Sequence, residues 1–118
     1  MIKKNVDSNG TIFLADGEKN VLSIVTSVDR EQGKLKVAFD GMLRTDVQPY
    51  LGTELQFYSA ADINQIEIDC GKLTAVSPGC FGELLDLKIK LAEKKAAISF
   101  TNKPDCLCGM EKLMGKKL

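Results

Sequence analysis

The chain of 118 residues is long enough for one domain that buries roughly two thirds of the surface its unfolded form exposes. Its sixteen basic and sixteen acidic side chains cancel, so no global field draws it to nucleic acid or an anionic membrane. No apolar run approaches the ~18 residues of a membrane span, and the absence of histidine removes the commonest general base and metal ligand. An enzyme is therefore disfavoured. Met1-Ile2-Lys3-Lys4 leads into polar Asn5, Asp7 and Asn9 and not into a signal-peptide core, so a cytoplasmic protein with reduced thiols is expected.

Taken in order, Asp7-Ser8-Asn9-Gly10 has the composition of a turn. Thr11 to Ala15 is a short apolar run, a candidate edge strand within an N-terminal extension over 1–19; the main domain is expected over 20–118. Asn20 to Val28 is rich in β-branched residues, and Lys34 to Asp40 alternates with Leu35, Val37 and Phe39 on one face. The polar Asp29 to Gly33 between them makes the pair an antiparallel hairpin. Val47, Leu51, Leu55 and Tyr58 then recur at helical spacing, with Thr45 or Asp46 as cap and Pro49 in the first turn. Ile63 to Cys70 returns to strand, followed by a loop.

A helix begins at Ser77, a preferred N-cap, with Pro78 as first helical residue. Phe81, Leu84, Leu85, Leu87, Ile89, Leu91 and Ala92 form its apolar face. Ala96 to Thr101 reads as strand, and a last helix turns Leu107, Met110, Leu113 and Met114 inward before stopping at Gly115. The order implies an α/β fold: a mixed sheet opened by an antiparallel hairpin, then parallel strands joined by crossover helices. In such sheets the ends of the parallel strands, where the helices begin, are the usual binding edge.

Two segments carry a family resemblance. Val37-Ala38-Phe39-Asp40-Gly41-Met42-Leu43-Arg44-Thr45-Asp46 and Leu73-Thr74-Ala75-Val76-Ser77-Pro78-Gly79-Cys80-Phe81-Gly82-Glu83-Leu84-Leu85 resemble the STAS domains of bacterial anti-sigma factor antagonists. In these domains the second segment reads L-T-x-I-D-S-S-G-L-G-x-L-L. The similarity in organisation covers about residues 20 to 115. It implies a non-enzymatic interaction module without a cofactor. The implied docking edge is Arg44, Asp46, Thr74, Ser77, Pro78, Gly79 and Phe81, and the implied partner a regulatory protein such as an anti-sigma kinase. A second implied role is accessory subunit to a transporter's ATPase. Aligned without gaps, Ser77 falls on the motif aspartate and Pro78 on the serine that the kinase phosphorylates; a shift of one residue places Ser77 on that serine. The ungapped register implies a surface that binds without phosphorylation, and the shifted one makes Ser77 a phosphosite.

The remaining chemistry is sparse. Gly71, Gly79 and Gly82 form no phosphate loop. Residues 1–70 carry seven basic and eleven acidic side chains, and 71–118 nine and five. This asymmetry suits a polar protein partner or a head-to-tail contact better than DNA; a homodimer is a further expected assembly. Cys70, Cys80, Cys106 and Cys108 can approach one sheet edge and are candidates for a thiol or metal sensor, but their C-x9-C-x25-C-x-C spacing lacks paired C-x2-C knuckles.

Overall fold

A computed structural model describes residues 1–118. Six strands and three helices follow in the order β1 (Ile2–Val6), β2 (Ile12–Asp16), β3 (Lys19–Asp29), β4 (Lys34–Leu43), α1 (Gln48–Ala60), β5 (Gln65–Val76), α2 (Pro78–Glu93), β6 (Ala97–Thr101) and α3 (Asp105–Met114). The strands form one sheet in sequence order, antiparallel from β1 to β4 and parallel from β4 to β6. This is the expected mixed architecture. α1 and α2 pack side by side over the face that carries Ile24, Val37, Phe39, Ile66 and Ile68.

The N-terminal residues form a strand that hydrophobic patterning does not reveal, because Ile2-Lys3-Lys4-Asn5-Val6 offers only one buried side chain. Its pairing is secured by the turn, where Asp7 Oδ1 accepts bonds from the Asn9 and Thr11 amides, both at 2.9 Å. The outermost strand is therefore β1, and β2, containing the run at Thr11 to Ala15, lies inside it.

β5 is longer than expected, and the loop assigned after Cys70 does not exist. Buried Ile66, Ile68 and Cys70 keep the two-residue alternation, but the next buried residue, Leu73, is three positions on. Two irregularities against β4 absorb the mismatch: Ala38 and Asp40 face Asp69 and Lys72, and Gly41 and Met42 face Leu73 and Ala75. Each inserts one extra residue into β5, which bends the strand while keeping it paired. The strand thus delivers Val76 directly to the helix cap at Ser77.

The start of α1 also differs. Thr45 and Asp46 lie in a 3-10 turn (Thr45–Val47), and neither caps the helix, because the Asp46 carboxylate is taken by Arg44. At its other end, Lys94 Nζ donates to the Ser59 and Ala61 carbonyls at 2.7 and 2.8 Å, meeting acceptors that a helix terminus leaves open.

α2 buries Cys80, Phe81, Leu84, Leu87 and Leu91. Ile89, counted on its apolar face, is exposed, since two residues past Leu87 lies on the opposite side of the helix. α3 buries Leu107 and packs against β5 beyond the reach of β6, which pairs only with Gln65 to Asp69. It covers a strand edge that would otherwise be open. Leu113 and Met114, expected inward, are exposed. Their place in the 3.6-residue period is taken by Glu111, whose carboxylate Oε2 accepts from Lys103 Nζ at 3.0 Å and the Leu118 amide at 2.8 Å.

Burial alone would raise the Glu111 carboxyl, but these two donors outweigh it and hold the group below its usual range. Its stabilising contribution is therefore complete above the pH at which an unfolded glutamate ionises, about 4.3, and is lost as pH falls through the lower folded value. Glu111→Gln should cost about 1–3 kcal/mol at neutral pH and flatten the acid limb of a stability profile. Urea unfolding of both proteins across the acid range measures this.

Candidate functional site

The C-terminal ends of β4 and β5 and the start of α2 meet at a rim around an open depression of about 540 Å³, lined by Leu43, Arg44, Thr45, Asp46, Ala75, Val76 and Ser77. Backbone bonding sets its frame. The Ser77 amide donates to the Leu43 carbonyl at 2.8 Å, tying the end of β5 to the end of β4. Ser77 is the N-cap of α2, its Oγ accepting from the Cys80 amide at 3.2 Å while Pro78 occupies the first turn. A cap of this kind is worth about 0.5–2 kcal/mol against alanine.

The polar side of the rim is an ion-pair cluster. Arg44 Nε donates to Asp46 Oδ1 at 3.0 Å and Nη2 donates to Asp46 Oδ2 and, at 3.1 Å, to Asp16 Oδ2. The Arg44 hydrogen bonds hold the Asp46 carboxyl below its usual range. Asp16 is likewise lowered, first by the bond from the N-terminal ammonium and then by Arg44. The guanidinium, bonded to both carboxylates, is raised further above its already high value. Each charge is held by a partner, an arrangement that orients groups for recognition and leaves none poised near neutrality to move a proton.

Of the residues anticipated for docking, Thr74, Pro78 and Asp46 are exposed, and Arg44, Ser77 and Gly79 are half-buried. Thr74 Oγ1 donates to the Gly41 carbonyl at 3.3 Å. Gly79 lies under the start of α1: a Cβ there would sit 2.4 Å from Gln48 Oε1. Phe81 requires correction. Its side chain has no exposed surface, because position 81 falls on the same helical stripe as Leu84, so it supports the rim from beneath and touches nothing outside. Asp16 was missed. It lies 28 residues from Arg44 and arrives only through the pairing of β2, β3 and β4, for which no local motif exists.

The four cysteines do not form one metal-holding group. Cys70 lies within β5, its Sγ 3.8 Å from the Ile68 carbonyl; Cys80 donates to the Arg44 carbonyl at 3.3 Å, Cys106 to that of Leu73 at 3.7 Å, and Cys108 to that of Lys103 at 3.9 Å. No group of three or more Cys, Asp or Glu side chains is placed to hold a metal ion. Cys70 sits in mid-strand and Cys80 at the start of α2, because β5 continues six residues past Cys70. Burial pushes the Cys70 thiol up to about 12 and raises Cys80 and Cys106 as well, which disfavours the thiolate needed for metal binding or exchange.

No protein-family model matches the sequence, and no curated protein matches it. Solved structures do. The fold is similar to that of the anti-sigma factor antagonist SpoIIAA in its unphosphorylated form, at 10% identity and a TM-score of 0.67 over 78% of this chain and 80% of that one. An anti-sigma factor antagonist from Mycobacterium paratuberculosis is similar at 14% identity and a TM-score of 0.66, over 80% and 78%. The STAS domain of an antisigma-factor antagonist from Rhodobacter sphaeroides is similar at 10% identity and a TM-score of 0.58, over 70% and 87%. The chain has the STAS fold. No helix is long and apolar enough to cross a membrane.

Proposed function

We propose that this STAS fold serves as a non-enzymatic cytoplasmic interaction module that docks the rim at the start of α2 on a regulatory protein of the anti-sigma kinase type, and that docking needs no phosphorylation. The observation that carries the reading is the rim itself. Exposed Thr45 and Asp46 line an open depression, and exposed Thr74 and Pro78 flank its lining residues Ala75 to Ser77 in the chain, on a backbone frame anchored by the Ser77 cap and by Arg44. Pre-positioned groups of this kind lower the ordering cost of association.

The same geometry supports independence from phosphorylation. Pro78, exposed at the first turn of α2, has no hydroxyl to modify. A phosphate on Ser77 would gain from the helix N-terminus, but it would add charge near Asp46, and Arg44 is already committed to two carboxylates. Like-charge crowding opposes the modification.

Affinity capture with the full chain from its own cells identifies the partner, and the rim is then tested by substitution. Asp46→Arg should weaken partner binding by about tenfold or more, the order expected for reversing a rim charge, while Ser77→Ala should bind nearly normally after its modest loss of stability. Mass spectrometry of the cellular protein should find Ser77 unmodified. Substantial phosphate at Ser77, with loss of binding in Ser77→Asp, would restore the phosphorylation switch. Capture of a transporter ATPase would replace the regulatory partner with the transporter role.

A further inference from the structure

β6 (Ala97–Thr101) closes one side of the sheet and pairs only with β5, in parallel register without a bulge. The Ala97 amide donates to the Asn64 carbonyl at 2.9 Å. Because alternate residues of a parallel strand bond to the same neighbour, Ala97, Ser99 and Thr101 turn their backbone groups toward β5, and Ile98 and Phe100 turn theirs outward. No loop or helix backbone group bonds to the outward N–H and C=O groups of Ile98 and Phe100, and α3 packs against β5.

The two edges of the sheet are unlike. β1 carries Lys3 and Lys4, the kind of charge that blocks strand addition. β6 reads Ala-Ile-Ser-Phe-Thr, with no charge and no proline. Ile98 and Phe100 are half-buried on the helix-covered face, and Ala97 and Ser99 are exposed on the other.

We propose that β6 is the interface of a symmetric homodimer in which two copies join antiparallel edges about a two-fold axis at Ser99. The strand is self-complementary in this register and in no other so fully. Ile98 of each copy faces Phe100 of the other, so the outward backbone groups of both residues pair in two doubly hydrogen-bonded sites, and each places a β-branched side chain against an aromatic one. Ser99 faces Ser99, and Ala97 faces Thr101. Of the flanking lysines, Lys103 is neutralised by Glu111, and Lys95 lies in the positive-φ turn before the strand. Pairing β6 with β1 of a second copy would instead be head-to-tail and open-ended, and would meet Lys3 and Lys4. A five-residue edge buries less than the roughly 1,000 Å² of a stable interface, so the dimer is weak and concentration-dependent. It leaves the Ser77 rim free, because β6 spans only the first half of β5.

Sedimentation equilibrium of the full chain over a wide concentration range should show a reversible monomer–dimer equilibrium. Ser99→Lys, which sets like charges face to face, should lower the association constant by about tenfold or more with an unchanged melting curve, since Ser99 is exposed. Directly opposed residues of a non-hydrogen-bonded antiparallel pair have Cα atoms about 4.5 Å apart, within reach of a disulfide. Ser99→Cys should therefore cross-link under mild oxidation faster than the wild-type protein. A chain that stays monomeric, a dimer indifferent to Ser99→Lys, open-ended oligomers, or Ser99→Cys cross-linking no faster than wild type would each overturn the proposal.

Discussion

Gly41→Ala should destabilise the protein by about 2–6 kcal/mol, combining roughly 1–3 for a side chain held in a strained backbone region with 1–3 or more for forced overlap. Gly41 has φ of +126°, and a Cβ on it would meet the Val21 carbonyl oxygen at 2.2 Å. That oxygen belongs to backbone, so no side-chain rotation relieves the contact. The cause lies in β3, where the pairing with β2 passes from Leu22 directly to Asn20 and leaves Val21 as a bulge. The bulge sends both Val21 and Leu22 into the core, at 1% and 0% exposure, and glycine on β4 accommodates the displaced chain. Against a total stability of about 5–15 kcal/mol for a domain, the loss is large. Urea unfolding measures it; a variant within about 1 kcal/mol of wild type would show that the bulge can move along β3.

Phe81→Ala should cost about 3–5 kcal/mol, the range for emptying a buried aromatic site. Phe81 lies in the first turn of α2 directly beneath the rim, fully enclosed with Leu84 and Leu87. The measurement separates support from contact. A large fall in the unfolding midpoint, with unaltered partner affinity for the fraction that stays folded at low temperature, is expected of a supporting residue. Wild-type stability accompanied by weakened binding would return Phe81 to the docking surface.

Most of the fold was legible because its signals are local. The hairpin of β3 and β4, the strand opening β5 and the Ser77-Pro78 helix start each rest on spacing or capping within a few residues. Those signals fade where structure departs from strict period. Leu73 lies out of phase with Cys70, which concealed half of β5 and led the cysteines to be drawn toward one edge. Glu111 occupies a core position through a distant lysine, which misassigned the inward face of α3. The candidate site divides in the same way: Ser77, Pro78 and Gly79 are adjacent in sequence and were found together, whereas Asp16 joins Arg44 only through tertiary pairing. The motif places Phe81 in the docking region although its side chain is buried, because a motif shows which residues belong to a region and not which way each one points.

The sheet order repeats the chain order from β1 to β6, and this bears on how the protein is made as well as on what it binds. Every strand closes onto its immediate predecessor, so the largest loop that must be closed for any pairing is a single crossover through α1 or α2. Loop-closure entropy grows with the length enclosed, and a chain whose contacts stay near in sequence folds faster than one that must match distant ends. Emerging from a ribosome, which releases the N-terminus first, β1 to β4 can pair without waiting for anything downstream, and each later βα unit finds its template already in place. The docking rim, built from the ends of β4 and β5 and the start of α2, is complete only when α2 has been added to that growing sheet.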